Sequence, residues 1–297
     1  MNKLKETNQD LTDIRSTGGD EKLQKVLARV GLGSRRDMEE AIVKGYVQVN
    51  GEIASLGTRV VLTDKIVFKG QRVNFKDSRQ RPLRVLLYNK PEGEICSRSD
   101  PEGRRTVYDK LPAIKGERWI SVGRLDFNTC GLLLFTNDGD LANKLMHPSS
   151  AIDREYLVRV QGHVDDDMKK RLLDGVTLDD GQARFTDMVD GPGEGRNRWF
   201  YCVIMEGRNR EVRRLWESQG VKVSRLKRVR FGSIFIPSHV RVGQWIELNP
   251  KEVRDLCLTA GIKPIKTPPP SREVIQRQRR HQRRLRAGKG KQRLYKK

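Results

Sequence analysis

The chain has 297 residues, with 60 Lys+Arg against 38 Asp+Glu for a net charge of +22; that length suggests about two domains, excludes a small disulfide-held module, and directs attention to a polyanionic partner. Four cysteines without a C-x-x-C pair and four dispersed histidines exclude a zinc site and a disulfide framework. No run approaches the roughly 18 to 20 apolar residues that cross a membrane.

Residues 1–20 are polar and aperiodic, so they are expected to be disordered. They lack the apolar stretch of a secretory signal, and a cytoplasmic location is expected. From Glu21 to Val30, Leu23, Val26, Leu27 and Val30 fall at i, i+3, i+4 and i+7, which predicts an amphipathic helix with Lys22, Lys25 and Arg29 on another face. Ser34-Arg35-Arg36-Asp37 reads as a capping box that opens a second helix carrying Met38, Ala41 and Ile42 and stopping at Gly45. Tyr46 to Ile53 alternates around Asn50-Gly51, a strong hairpin signal. Helix, helix and hairpin make a small α+β module, and Gln71–Pro82 reads as its exit linker.

A larger unit follows, in which strands are expected at Val85–Asn89, Trp119–Val122, Leu132–Thr136, Glu155–Val160, Ala183–Val189, Trp199–Met205 and Val223–Phe231. Helices are expected at Asp138–Met146, Asp165–Leu173, Glu211–Glu217 and after Asn249-Pro250, where asparagine caps and proline takes the first helical position. The sum is an α+β fold with a mixed, mostly antiparallel sheet. Gly191-x-Gly-x-Gly195 lacks the lysine and strand-to-helix setting of a phosphate loop and reads as a turn between strands. Residues 266–297 carry thirteen Lys/Arg against Glu273 alone, a net +12 of the total, so the remainder still carries +10. This last segment reads as a disordered basic tail.

The densest segment is Ser121-Val-Gly-Arg-Leu-Asp-Phe-Asn-Thr-Cys-Gly-Leu-Leu-Leu-Phe-Thr-Asn-Asp-Gly139. On residue chemistry alone, Asp126 after Gly123 is a turn residue and Leu132–Phe135 is a buried strand. However, G-R-L-D-x-x-T-x-G-L-L-L-x-T-x-D-G resembles the motif of the RsuA/RluB family of RNA pseudouridine synthases. Lys90-Pro91-Glu92-Gly93, Arg154-Glu155-Tyr156 and Glu206-Gly-Arg-Asn-Arg-Glu-Val-Arg213-Arg214 agree with that family in order. Residues 21 to about 68 resemble the αL RNA-binding domain shared with a small-subunit ribosomal protein. The form EGRNREVRRLWE resembles the branch that modifies large-subunit ribosomal RNA.

The resemblance implies four segments: a tail at 1–20, an αL domain with linker at 21–82, a pseudouridine synthase domain at 83–265 and a basic tail at 266–297. It implies isomerisation of a uridine, which breaks C1′–N1 and forms C1′–C5 and needs no cofactor, metal or redox partner. Asp126 would be the catalytic carboxylate, as nucleophile or as a charge opposite C1′. Arg213 would pair with it, and Tyr156 would stack on the base and assist loss of the C5 proton. Arg124 would fill the stack vacated by the flipped uridine, with Thr129 and Val212 on the substrate side. Val212 also shares an i, i+3, i+4 pattern with Leu215 and Trp216 that reads as core. Lys22, Lys25, Arg29, Arg35 and Arg36 are the expected phosphate contacts of the small domain. Ribosomal RNA is the expected partner of a monomer free of membrane and small-molecule cofactor. The competing reading is a non-catalytic ribosome-assembly protein on the same fold.

Because the basic tail adds charge without a fold, deleting residues 266–297 should weaken RNA binding and flatten its salt dependence while leaving the modified position unchanged. Filter binding at several salt concentrations, with mapping of the product, checks this.

Overall fold

The computed structural model describes residues 20–74, 82–114, 116–193 and 197–263, with single positions at 276, 280 and 283. Most of both expected tails, residues 75–81 of the expected linker and positions 194–196 of the glycine-rich turn lie outside the described residues. None of the described helices is long and apolar enough to cross a membrane.

The first unit runs β1 (Glu21–Lys22), α1 (Leu23–Arg29), α2 (Arg35–Val43), β2 (Val47–Val49), β3 (Glu52–Ile53), β4 (Arg59–Val60), β5 (Ile66–Phe68) and β6 (Gln71–Val73). The helix expected from Glu21 begins two residues later, because Glu21 and Lys22 pair with Val60 and Arg59 as strands. The capping box forms as read: Ser34 Oγ accepts from Asp37 N–H at 3.1 Å and the Asp37 carboxylate accepts from Ser34 N–H at 2.6 Å. The Ser34 backbone N–H, and after it the Ser34 hydroxyl, hold the Asp37 carboxyl below the usual range. Asn50 and Gly51 both take positive φ, as a tight hairpin turn requires. Gln71–Val73, read as linker, instead extends the sheet by pairing with β5. Leu23, Val26, Leu27, Met38, Ile42, Val47 and Ile66 close a separate small core.

The second unit runs β7 (Val85–Lys90), β8 (Ile120–Val122), β9 (Cys130–Thr136), α3 (Gly139–Met146), β10 (Arg154–Gln161), α4 (Asp166–Asp174), β11 (Val176–Leu178), β12 (Gly181–Ala183), β13 (Asp187–Asp190), β14 (Asn197–Ile204), α5 (Glu211–Glu217), β15 (Lys222–Phe231), β16 (Ile234–Phe235), β17 (Trp245–Glu247) and α6 (Pro250–Thr259). Its main sheet has the order β13-β14-β10-β15-β9-β7-β17, with β8 on β9 and β16 on β15. Among the described strands, β9 and β15 form the one parallel pair. The Leu132–Phe135 run is apolar throughout because both faces of β9 are covered. Leu133 and Phe135 join the core containing Trp216 and Phe200, whereas Leu132 and Leu134 join the core under α3 and α6.

The single strand expected at Ala183–Val189 is two. Ala183 ends a hairpin with β11, Phe185 turns into the core at 1 % exposure, and Asp187 begins the edge strand on β14. The two units touch through Lys25 Nζ, 2.9 Å from Asp140 Oδ2, and through Arg118 Nη1, which donates to Gly33 O at 2.6 Å.

Gly131 lies where β9 meets β15, at φ 105°, and a Cβ there would collide with the carbonyl oxygen of Arg228. Gly131→Ala should therefore destabilise the fold by about 3 kcal/mol, through strain and overpacking together. Chemical denaturation should show a lower midpoint at unchanged slope.

Candidate functional site

The loop joining β8 to β9 is held by its carbonyls, which leaves its acidic side chain uncommitted. Lys90 closes β7 and is fully buried. Its ammonium donates to Pro91 O at 3.0 Å, Asp126 O at 3.1 Å and Thr129 O at 2.9 Å, so all three N–H groups are used. Gly93 N–H donates to Phe127 O at 2.9 Å, and Cys96 Sγ lies 3.3 Å from Leu125 O. Arg213, from α5, donates through Nη2 to Asn128 O and through Nη1 to Val223 O, both at 2.9 Å. Burial pushes the Lys90 pKa down, while Asp126 is among the neighbouring anions that raise it. Burial and Arg210 lower the Arg213 pKa, and Asp126 again acts in the opposite direction.

The Asp126 carboxylate makes no hydrogen bond or ion pair with the described residues. It lines an open cavity of about 620 Å³ together with Arg124, Thr129, Tyr156 and Val212, a volume within the range of small-molecule sites. Tyr156 points into this cavity from β10, beside an irregularity in the β10–β15 register between Glu155 and Tyr156. Such a bulge re-aims side chains next to a site. Arg124 and Phe127 stand exposed on the loop.

The structure thus brings Asp126, Tyr156, Arg124, Thr129 and Val212 to one cavity. Val212 also belongs to the core, at 4 % exposure, which reconciles its two readings. Arg213 requires a correction. No ion pair joins it to Asp126, because both of its terminal nitrogens are taken by carbonyls, one of them two residues along the same loop.

The basic face of α1 is also corrected. Lys25 is held by Asp140 and Arg29 by Glu21, the latter through bonds of 3.0 and 2.8 Å, so these two cations are neutralised within the chain. Lys22, Arg35 and Arg36 stay exposed.

Three further residues of the site carried no role in the sequence reading. Lys90 was visible only as part of Lys-Pro-Glu-Gly. Arg154 and Arg228 line the cavity at 7 % and 3 % exposure and flank the Phe231 ring at 5.2 and 5.4 Å. Arg154 donates to Ile152 O and Met205 O, and Arg228 to Leu132 O. Their signal in the sequence was a charged residue at an inward position of an alternating strand.

Comparison with known proteins places the chain in a family. Residues 84–218 match the RNA pseudouridylate synthase family model and residues 21–66 match the S4 domain. The chain is 56 % identical over 266 residues to the ribosomal large subunit pseudouridine synthase B of Pseudomonas aeruginosa, spanning 88 % of this chain and 69 % of that protein. It is 58 % identical to the protein of that name from Vibrio cholerae, over 83 % and 77 % of the two chains, and 52 % identical to the one from Escherichia coli, over 88 % and 89 %. A solved pseudouridylate synthase shares 26 % identity and superposes with a TM-score of 0.55 over 79 % of this chain and 99 % of its own.

Arg213 and Arg214 separate loop anchoring from surface charge. Arg213→Ala should cost about 2 kcal/mol by stranding the buried Val223 carbonyl and the part-buried Asn128 carbonyl and should loosen residues 126–129 in hydrogen exchange. Arg214 pairs with Asp180 at the surface, so Arg214→Ala should cost under ~1 kcal/mol and leave that exchange unchanged.

Proposed function

The chain belongs to the RNA pseudouridine synthases, with relatives among the enzymes named for the large ribosomal subunit, and from that membership we propose that it converts one uridine of large-subunit ribosomal RNA to pseudouridine with Asp126 as the catalytic carboxylate. The observation that carries this reading is the uncommitted Asp126 carboxylate in a cavity walled by Tyr156 and rimmed by Arg124.

The reaction exchanges one bond for another. The C1′–N1 bond breaks, the uracil turns, C1′–C5 forms, and the proton on C5 departs while N1 gains one. No electrons are gained or lost overall, so no redox partner is required. Asp126 supplies the negative charge that either attacks carbon or offsets charge at C1′. Tyr156 gives the uracil a face to stack on and a hydroxyl for proton transfer. Arg124 occupies the gap left in the RNA stack, since a base paired in a stem must leave it at a cost of a few kcal/mol. Thr129 and Val212 shape the wall against the nucleotide. Arg213 acts through the loop carbonyl that it holds, as a positioning residue.

The S4 module supplies affinity for ribosomal RNA rather than chemistry, and Lys22, Arg35 and Arg36 are its exposed cations. Lys25 and Arg29 reach phosphate only by releasing their acidic partners. The protein acts as a monomer in the cytoplasm, where its RNA is made.

Asp126→Asn conserves volume and removes one charge. Binding rests on many phosphate contacts, so affinity and folding should match wild type while turnover falls below detection. Tritium release from ribosomal RNA labelled at uridine C5 is the readout, because isomerisation expels that hydrogen and simple loss of the base does not. Appreciable release by the Asn variant would remove Asp126 from the catalytic role, and none by wild type would replace this reading with that of an assembly factor.

A further inference from the structure

The strand that presents Tyr156 to the cavity presents its alternate residues to the opposite face of the sheet, and those residues form an ordered pattern. On that face Trp199, Arg159 and Arg225 lie in one cross-strand row over β14, β10 and β15, and Tyr201, Leu157 and Lys227 lie in the next. Each row begins with an aromatic ring and ends with a cation. All six side chains keep solvent exposure, and Leu157, Trp199 and Tyr201 belong to none of the three apolar cores.

Arg159 and Arg225 are direct cross-strand neighbours, an arrangement of like charges that destabilises a sheet on its own. None of Arg159, Arg225 and Lys227 has an ion-pair partner among the described residues. Gly191, just after β13, packs against the same edge of the face. Gly191 N–H donates to Trp199 O at 2.8 Å, and a Cβ on Gly191 would stand 3.0 Å from the Trp199 Cβ. Gly191 can therefore pack this closely against Trp199 only because it lacks a Cβ. The face is continuous with the catalytic loop, since Lys227 is in register with Cys130, four residues after Asp126.

We infer that this face is a second RNA-binding surface, on which an unpaired stretch of the substrate RNA lies with its bases on Trp199 and Tyr201 and its phosphates on Arg159, Arg225 and Lys227. Aromatic platforms beside a track of cations are how single strands are held without sequence readout. Opposed guanidiniums lose their mutual repulsion when a phosphate sits between them. The inference rests on the RNA-modifying function proposed above, and it adds a contact area outside both the S4 module and the cavity.

The test is the double variant Arg159→Ser/Arg225→Ser in the full chain, assayed on tritiated large-subunit ribosomal RNA transcript and by filter binding of the same transcript across a salt series. KM and Kd should rise about tenfold, kcat should hold, and the log–log salt slope should fall by about 1.4 for two single-strand phosphate contacts. Thermal stability of the free protein should not drop, and Arg159→Lys/Arg225→Lys should restore most of the affinity. Unchanged Kd and slope overturn the inference and assign the face to a protein partner. A raised Kd at unchanged slope also overturns it, because loss of packing rather than of phosphate contacts has that signature. If wild type releases no tritium, the proposed reaction fails, while the binding series still decides whether this face holds RNA.

Discussion

Five consecutive carbonyls, from Leu125 to Thr129, each meet a donor, and the geometry of the loop that carries Asp126 depends on that constraint. The donors come from the end of β7, the turn after it, Cys96, the loop itself and α5. Stranding any one buried carbonyl costs on the order of 1–3 kcal/mol, so the loop has little freedom to rearrange. The Asp126 side chain between those anchored carbonyls faces the cavity. Lys90 is the least expected participant, because a buried ammonium without a bonded carboxylate is expensive. Three carbonyl dipoles and the nearby negative charges of Glu94 and, to a lesser extent, Asp126 make it tolerable. The same ammonium fixes the backbone of the residue whose charge favours it, so loop geometry and electrostatics are coupled at one atom.

Much of this was legible in the sequence, for reasons that are local. The Ser34–Asp37 cap, the Asn50-Gly51 hairpin and the doubly buried Leu132–Phe135 strand each follow from a few neighbouring residues, and the motif around Asp126 carried the family. Direction was not legible. Resemblance supplied Arg213 as a member of the site, but which acceptor its guanidinium reaches depends on carbonyls at Asn128 and Val223 that no spacing rule locates. The basic face of α1 failed similarly, because Asp140 lies 115 positions away from Lys25. Glu21, at i−4 to Lys25, could have been noticed. The division of Ala183–Val189 was hidden because Phe185 keeps the apolar alternation while the chain turns around it.

One strand, β10, organises both faces of the catalytic sheet through its pleat. Arg154 and Tyr156 face the cavity, Val158 and Val160 the core behind it, and Leu157 and Arg159 the other side. A one-residue slip would exchange these sets. The pairing of all eight residues of β10 with β14 on one side and β15 on the other fixes the register, while the irregularity at Glu155/Tyr156 allows the tyrosine to lean out of the regular pleat.

The β9–β15 junction bears on the order in which the protein comes into being. The cavity draws its walls from residues 121 to 231, and the strands that meet behind Asp126 are nearly a hundred positions apart, so closing them carries the loop-closure entropy typical of long-range pairing. The S4 module is built from short-range contacts near the start of the chain and needs none of those later residues. During synthesis an RNA-binding domain therefore exists well before a catalytic pocket does. A nascent chain has a means of staying near RNA before it has any chemistry to perform there, and translation arrested before β15 would leave a binder without a catalyst.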